Sequence, residues 1–162
     1  VLVRQRVGLL QPYVGYRGCD GETRLKRYGK AVTVISLAQA ETVLSVTGPL
    51  DVKVTLLSAP YAAASVGPGW FEAIVRLAAG QFPSVCYEAV LDCGSAPGDA
   101  LAALRHGVNN IRYDGVKQAE IAEIARQYGS CVIRTRPESL DITEAQAEGR
   151  DSIAACRSWL SS

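Results

Sequence analysis

The chain contains no methionine and a single histidine, His106, and none of its five cysteines forms a CxxC pair. A zinc site of ordinary ligand spacing is therefore not expected, and no metal is assigned. No apolar run approaches the roughly 18 residues that a membrane-spanning helix needs. The first residues lack a charged region followed by an apolar core, so no secretory signal is read there. A start at Val1 fits removal of an initiator methionine or processing of a precursor. The cysteines (Cys19, Cys86, Cys93, Cys131 and Cys156) are odd in number and scattered. They read as reduced, mostly buried thiols of a cytoplasmic protein.

What is present is ordinary for a globular chain: 162 residues, 48% hydrophobic and 20% charged, with a net charge of +1. The length suits one domain. The charge is unevenly placed. Residues 1–30 carry seven basic side chains (Arg4, Arg6, Arg17, Arg24, Lys26, Arg27, Lys30) against Asp20 and Glu22, a net +5, while the remainder carries 10 basic and 14 acidic, a net −4. A basic arm on a mildly acidic body suits an acidic partner, a neighbouring subunit or a phosphate backbone. Tyr13, Tyr16 and Tyr28 interleave with these charges, but no nucleic-acid motif accompanies them, and nucleic acid is not the expected partner.

From residue 31 the pattern becomes regular. Ala31–Leu37, rich in β-branched residues, and Val52–Ser58, Tyr87–Asp92, Val108–Tyr113 and Cys131–Thr135 read as strands. Between them, Ala38–Val46, Trp70–Ala79, Pro97–Arg105 and Val116–Tyr128 read as helices. Phe71, Ile74, Val75 and Ala78 form one apolar stripe, and Ile121, Ile124, Ala125 and Tyr128 another. Residues 59–69 read as a loop of small residues. After Pro137, Thr143 and Gln146 suit a capping box, and a helix running toward Leu160, weakened at Gly149, carries Ile153, Cys156 and Leu160 on one face.

The expected fold is α/β. It is a five-stranded, mostly parallel sheet with flanking helices, flavodoxin-like or half-barrel-like, with an extended basic N-terminal arm and a C-terminal helix. The expected divisions are an arm over 1–30, the domain over 31–137 and a helical tail over 138–162. Ligands of parallel α/β sheets bind beyond the carboxyl ends of the strands. The residues expected there are Ser36, Ser58, Asp92, Cys93, Asp114, Gly115, Arg134 and Arg136. Arg134 and Arg136 are two apart and would share a face if the strand continued through them. Gly94, Ser95 and Gly98 form a turn into a helix whose free N–H groups favour an anion, although Pro97 lacks a donor and Asp99 already complements the dipole. Asp92 is preferred to Cys93 as a functional residue, since no histidine lies near the thiol.

The strings LLSAPYAAASVGPGWF, VLDCGSAPGDALAALRHG and RPESLDI resemble a set of small alphaproteobacterial α/β proteins over residues 31–140. That resemblance implies the fold and carries over no catalytic residue. ALAALRHGVNNIRYDG is similar, more weakly, to units of phosphate-binding (β/α) barrels. A response-regulator receiver is similar in outline, but paired acidic residues after the first strand and a late Lys-Pro are missing. The leading expectation is a non-catalytic accessory or assembly subunit of a larger bacterial complex, anchored by its arm, with protein subunits as partners in a homo-oligomer or larger assembly. The alternative is a small-molecule or phosphate-binding protein, or an enzyme, with its site at the strand ends. No cofactor is named by these residues.

Overall fold

The computed structural model describes residues 29–162. Six of the seven basic residues of the expected arm (Arg4, Arg6, Arg17, Arg24, Lys26, Arg27) lie outside the described residues, whereas Lys30 opens the first strand. The strands are β1 (Lys30–Thr33), β2 (Val54–Leu57), β3 (Tyr87–Asp92), β4 (Asn110–Arg112), β5 (Cys131–Ile133) and β6 (Ser139–Asp141). The helices are α1 (Leu37–Leu50), α2 (Ala62–Ser65), α3 (Pro68–Gln81), α4 (Pro97–His106), α5 (Gln118–Gln127), α6 (Ile142–Ala147) and α7 (Ser152–Ser161).

Among the described residues the sheet has six strands rather than five, in the order β5-β4-β3-β2-β1-β6. Every pairing between neighbours is parallel. The sixth strand lies in the segment expected to be a helical tail. It pairs with β1 in the register Ala31↔Ser139, Val32↔Leu140 and Thr33↔Asp141, so this segment belongs to the sheet. β1 through β5 are laid down in chain order, and β6 returns to the far side of β1.

Strand periodicity sorts the side chains onto two faces. Val32, Val34, Val54, Leu56, Leu91, Cys93, Ile111 and Tyr113 join one core with residues from every described helix, among them Val43, Ala62, Phe71, Leu104, Ile121, Ile142 and Leu160. The alternate residues Ala31, Leu57, Val90 and Ile133 form a second, smaller cluster made of strand residues alone. The polar residues Thr33, Asp92 and Arg112 fall on this second face by the same alternation.

Local chemistry explains where several elements depart from expectation. α1 runs through Gly48-Pro49 to Leu50, because Val46 and Thr47 are buried against the core and hold its last turns. The helix then ends at Asp51, left-handed at φ 52°, whose N–H donates to the Gly48 carbonyl. α6 is capped by Asp141, whose carboxylate accepts from the N–H groups of Thr143 and Glu144; Thr143 and Gln146 instead bond the Gln39 amide. Tyr128 is exposed at the end of α5 and leaves the apolar stripe to Ile121, Ile124 and Ala125. Trp159 of α7 fastens the C-terminal helix to β1: its Nε1 donates to the Ala31 carbonyl at 2.9 Å, and the Lys30 ammonium lies 5.2 Å from its ring centre. No described helix is long and apolar enough to cross a membrane.

Candidate functional site at the carboxyl edge of the sheet

Asp92 ends β3 and is wholly buried. A carboxylate out of water needs its lone pairs occupied. Here Oδ1 accepts from the backbone N–H of Gly94 at 2.9 Å and of Tyr61 at 3.1 Å, and from Arg112 Nη1 at 3.4 Å. Oδ2 accepts from Arg136 Nη1 at 2.8 Å. Two guanidinium groups and two backbone amides thus converge on one carboxylate.

The register explains the first of these pairs. Asp92 lies directly opposite Arg112 on β4, so the two share a sheet face. Arg112 also reaches Asp114, two residues on and on the same face, through Nη2 at 2.5 Å. Its Nε is buried without a hydrogen-bond partner. Arg136 comes from the connection between β5 and β6. Its Nη2 donates to the Ser58 carbonyl at 2.8 Å and to the Thr33 hydroxyl at 3.1 Å, joining the ends of β1, β2 and β3. Thr33 Oγ1 in turn lies 2.9 Å from Ser139 Oγ on β6. Ser58 Oγ accepts from the Asp92 N–H at 2.8 Å.

Of the expected site residues, Ser58, Asp92, Gly94, Asp114 and Arg136 are therefore brought together. Arg134 is not: β5 ends at Ile133, so residues 134 and 136 are not on one strand, and Arg134 points to solvent while Arg136 turns inward. Ser36 serves as the N-cap of α1, accepting from Gln39 N. Ser95 and Gly98 are exposed in the turn before and at the start of α4, which has no side-chain cap. Gly94 takes φ +59°, and a Cβ there would lie 2.2 Å from the Tyr61 ring. Gly115 is closed off differently: a Cβ would fall 2.3 Å from both the Ser95 carbonyl and the Tyr113 hydroxyl, the latter buried without a partner.

Cys93 faces away from this network. Alternation puts it in the helix-side core, where its Sγ approaches only the Leu91 carbonyl at 3.8 Å. Burial, with Asp92 and Asp99 adding to it against a smaller opposing pull from Arg112, pushes its thiol up to about 12. A thiol held protonated in this way is a poor nucleophile. Cys156 is raised to about 11, by burial and then Asp151. Cys86 is an exposed free thiol, while Cys131 is disulfide-bonded, which corrects the expectation of reduced cysteines throughout. Among the described residues, no group of three or more His, Cys, Asp or Glu side chains could hold a metal ion.

Arg112, Tyr61, Thr33 and Ser139 were not among the expected site residues. For Arg112 a signal existed: in Ile111-Arg112-Tyr113-Asp114 the apolar residues alternate with charges, which puts Arg112 and Asp114 on one face. A cavity of about 380 Å³, lined by Gly29, Lys30, Ala31, Ile133, Pro137, Glu138 and Trp159, shares no residue with the network. No protein-family model matches the chain, and no curated protein matches it.

Proposed function

We propose that this chain is a binding domain for a small anionic ligand, taken at the carboxyl edge of the sheet by Arg112 and Arg136. The observation that carries this reading is the convergence of two arginine side chains, 13% and 22% exposed, on one fully buried carboxylate. Buried ion pairs seldom stabilise a fold more than an apolar replacement would, so such a network at a ligand-binding edge favours a role in recognition. Asp92 aims and holds the two forks. Asp114 covers one of them: its carboxylate is 36% exposed, and an exposed ion pair of this kind contributes little. An incoming carboxylate or phosphate replaces Asp114 on Arg112 at small cost, and Arg is suited to bidentate binding of either group.

The winding supports the half-barrel-like of the two expected architectures. Residues 134–138 link β5 to β6, which stand at opposite ends of the strand order. An extended chain advances at most about 3.6 Å per residue, or about 22 Å from residue 133 to 139. Crossing a flat six-stranded sheet takes five gaps of about 4.8 Å, or about 24 Å, before any return along the strand. A curled sheet shortens that path, and the cavity lined by both Ala31 of β1 and Ile133 of β5 agrees with the curl. Curling turns the polar face inward, where the network lies.

Titration calorimetry with inorganic phosphate tests the binding reading. Asp114→Asn should bind phosphate several-fold more tightly than wild type, and Arg112→Gln should bind it at least tenfold more weakly, about 1.4 kcal/mol. Phosphate that binds none of the three proteins, all folded, would refute it. The accessory-subunit reading rests on the charge of residues 1–30.

A further inference from the structure

We infer that the ligand of this edge carries its anionic group on a planar ring, as an aryl phosphate does, with Tyr61 as the platform on which the ring stacks. The inference rests on the anion-binding reading above and adds to it the class of ligand.

Tyr61 precedes α2 with φ +58°, a left-handed conformation that a bulky side chain adopts only at a cost. Its backbone N–H is fixed on Asp92 Oδ1 at 3.1 Å, the same oxygen that meets Arg112 and Gly94 N. The phenol ring packs on Gly94, where only the missing Cβ leaves room for it. Yet the residue is 56% exposed. An aromatic residue is thus held on a strained backbone, its ring against a residue that must be glycine, and stays more than half exposed. The strain is not repaid by burying the ring. Strain of this kind gathers at binding sites, where it fixes a side chain in advance. The same carboxylate anchors the ring's backbone and both guanidinium groups, so anion donors and aromatic surface are presented side by side. A ligand with a negative group and a flat apolar body complements both, and an anion without a ring uses the arginines alone.

The test compares phenyl phosphate with methyl phosphate, which matches its charge. Calorimetry on wild type should give about tenfold tighter binding of the phenyl ester. Tyr61→Gly, compatible with the left-handed backbone, should erase that advantage, leaving the affinities of the two esters within about twofold of each other. If circular dichroism shows Tyr61→Gly to be unfolded, Tyr61→Asn, also tolerant of this conformation, takes its place. Equal affinity for the two esters in wild type, or an aryl preference that survives loss of the ring, overturns the inference and leaves the anion reading standing. Failure of both esters to bind overturns both.

Discussion

Replacing Asp92 by asparagine tests the network most directly. The two side chains have nearly the same shape, so packing is preserved and the change is one of charge and hydrogen bonding. If the asparagine oxygen takes the Oδ1 position, it still accepts from Gly94 N and Tyr61 N. Its NH₂ then faces Arg136 Nη1 at the 2.8 Å that now separates donor from acceptor, setting donor against donor. Arg136 loses its carboxylate partner and Arg112 keeps only Asp114, at a site where the Arg112 and Arg136 side chains are 13% and 22% exposed. Removing one partner of a buried ion pair costs about 3–5 kcal/mol, and the partial exposure of the arginines places this case near the lower end, at about 3 kcal/mol. For a domain of typical stability, about 5–15 kcal/mol, that is a large loss. Arg136→Gln should cost less, about 1–2 kcal/mol, since Asp92 keeps Arg112 and two backbone donors. Urea denaturation gives both values from shifts in midpoint at unchanged slope. Because Asp92 is buried, the loss should change little between low and moderate salt. An Asp92→Asn protein within 1 kcal/mol of wild type, or one more stable than Arg136→Gln, would refute the view of Asp92 as the centre of the network.

Three further outcomes are expected. Among the described free thiols, a maleimide should modify Cys86 rapidly in the native protein and reach Cys93 and Cys156 only on unfolding, as mass spectrometry of the labelled peptides would show. Stability should fall as pH rises above about 9: folding holds the Cys93 and Cys156 thiols protonated up to about 12 and about 11, so the unfolded chain releases these protons first. Cys93→Ala should flatten that alkaline slope in urea titrations at pH 7 and 10, and an unchanged slope would count against the buried thiol. Gly94→Ala should destabilise by at least ~1–2 kcal/mol, the cost of a Cβ at φ +59°, and by more if the Tyr61 ring must move; a thermal melt equal to wild type would be the contrary result.

Much of the sheet was legible because its signals are local. β1 to β5 carry short apolar segments, β-branched above all in β1 and β2, and the glycines and prolines between them mark turns. The end of β3 at Asp92 and the turn at Gly94 followed from those signals. β6 was not legible: Ser139-Leu140-Asp141 is too short to show a period of two, and its pairing partner is more than a hundred residues away. The same reason hid most of the network. Arg112 meets Asp92 through the register of β3 against β4, and Arg136 through the path of a connection, neither of which is written in a local pattern. Tyr61 was hidden because nothing in its composition announces a left-handed backbone at a tyrosine. The cap of α6 was misplaced by two residues because Asp141, Ile142 and Thr143 offer two competing oxygens for one helix start, and the carboxylate took it.

The place of β6 beside β1 also bears on how the chain is made. During synthesis β1 can find β2 after some twenty-five residues, but its other edge waits for Ser139–Asp141, and the Trp159 clasp on Ala31 waits longer still. Until then a nascent or truncated chain exposes an unpaired parallel edge, the kind of surface that recruits strands from other molecules. Completion of the sheet is therefore a late event of high sequence separation, which predicts slow final assembly and a marked intolerance of C-terminal deletion.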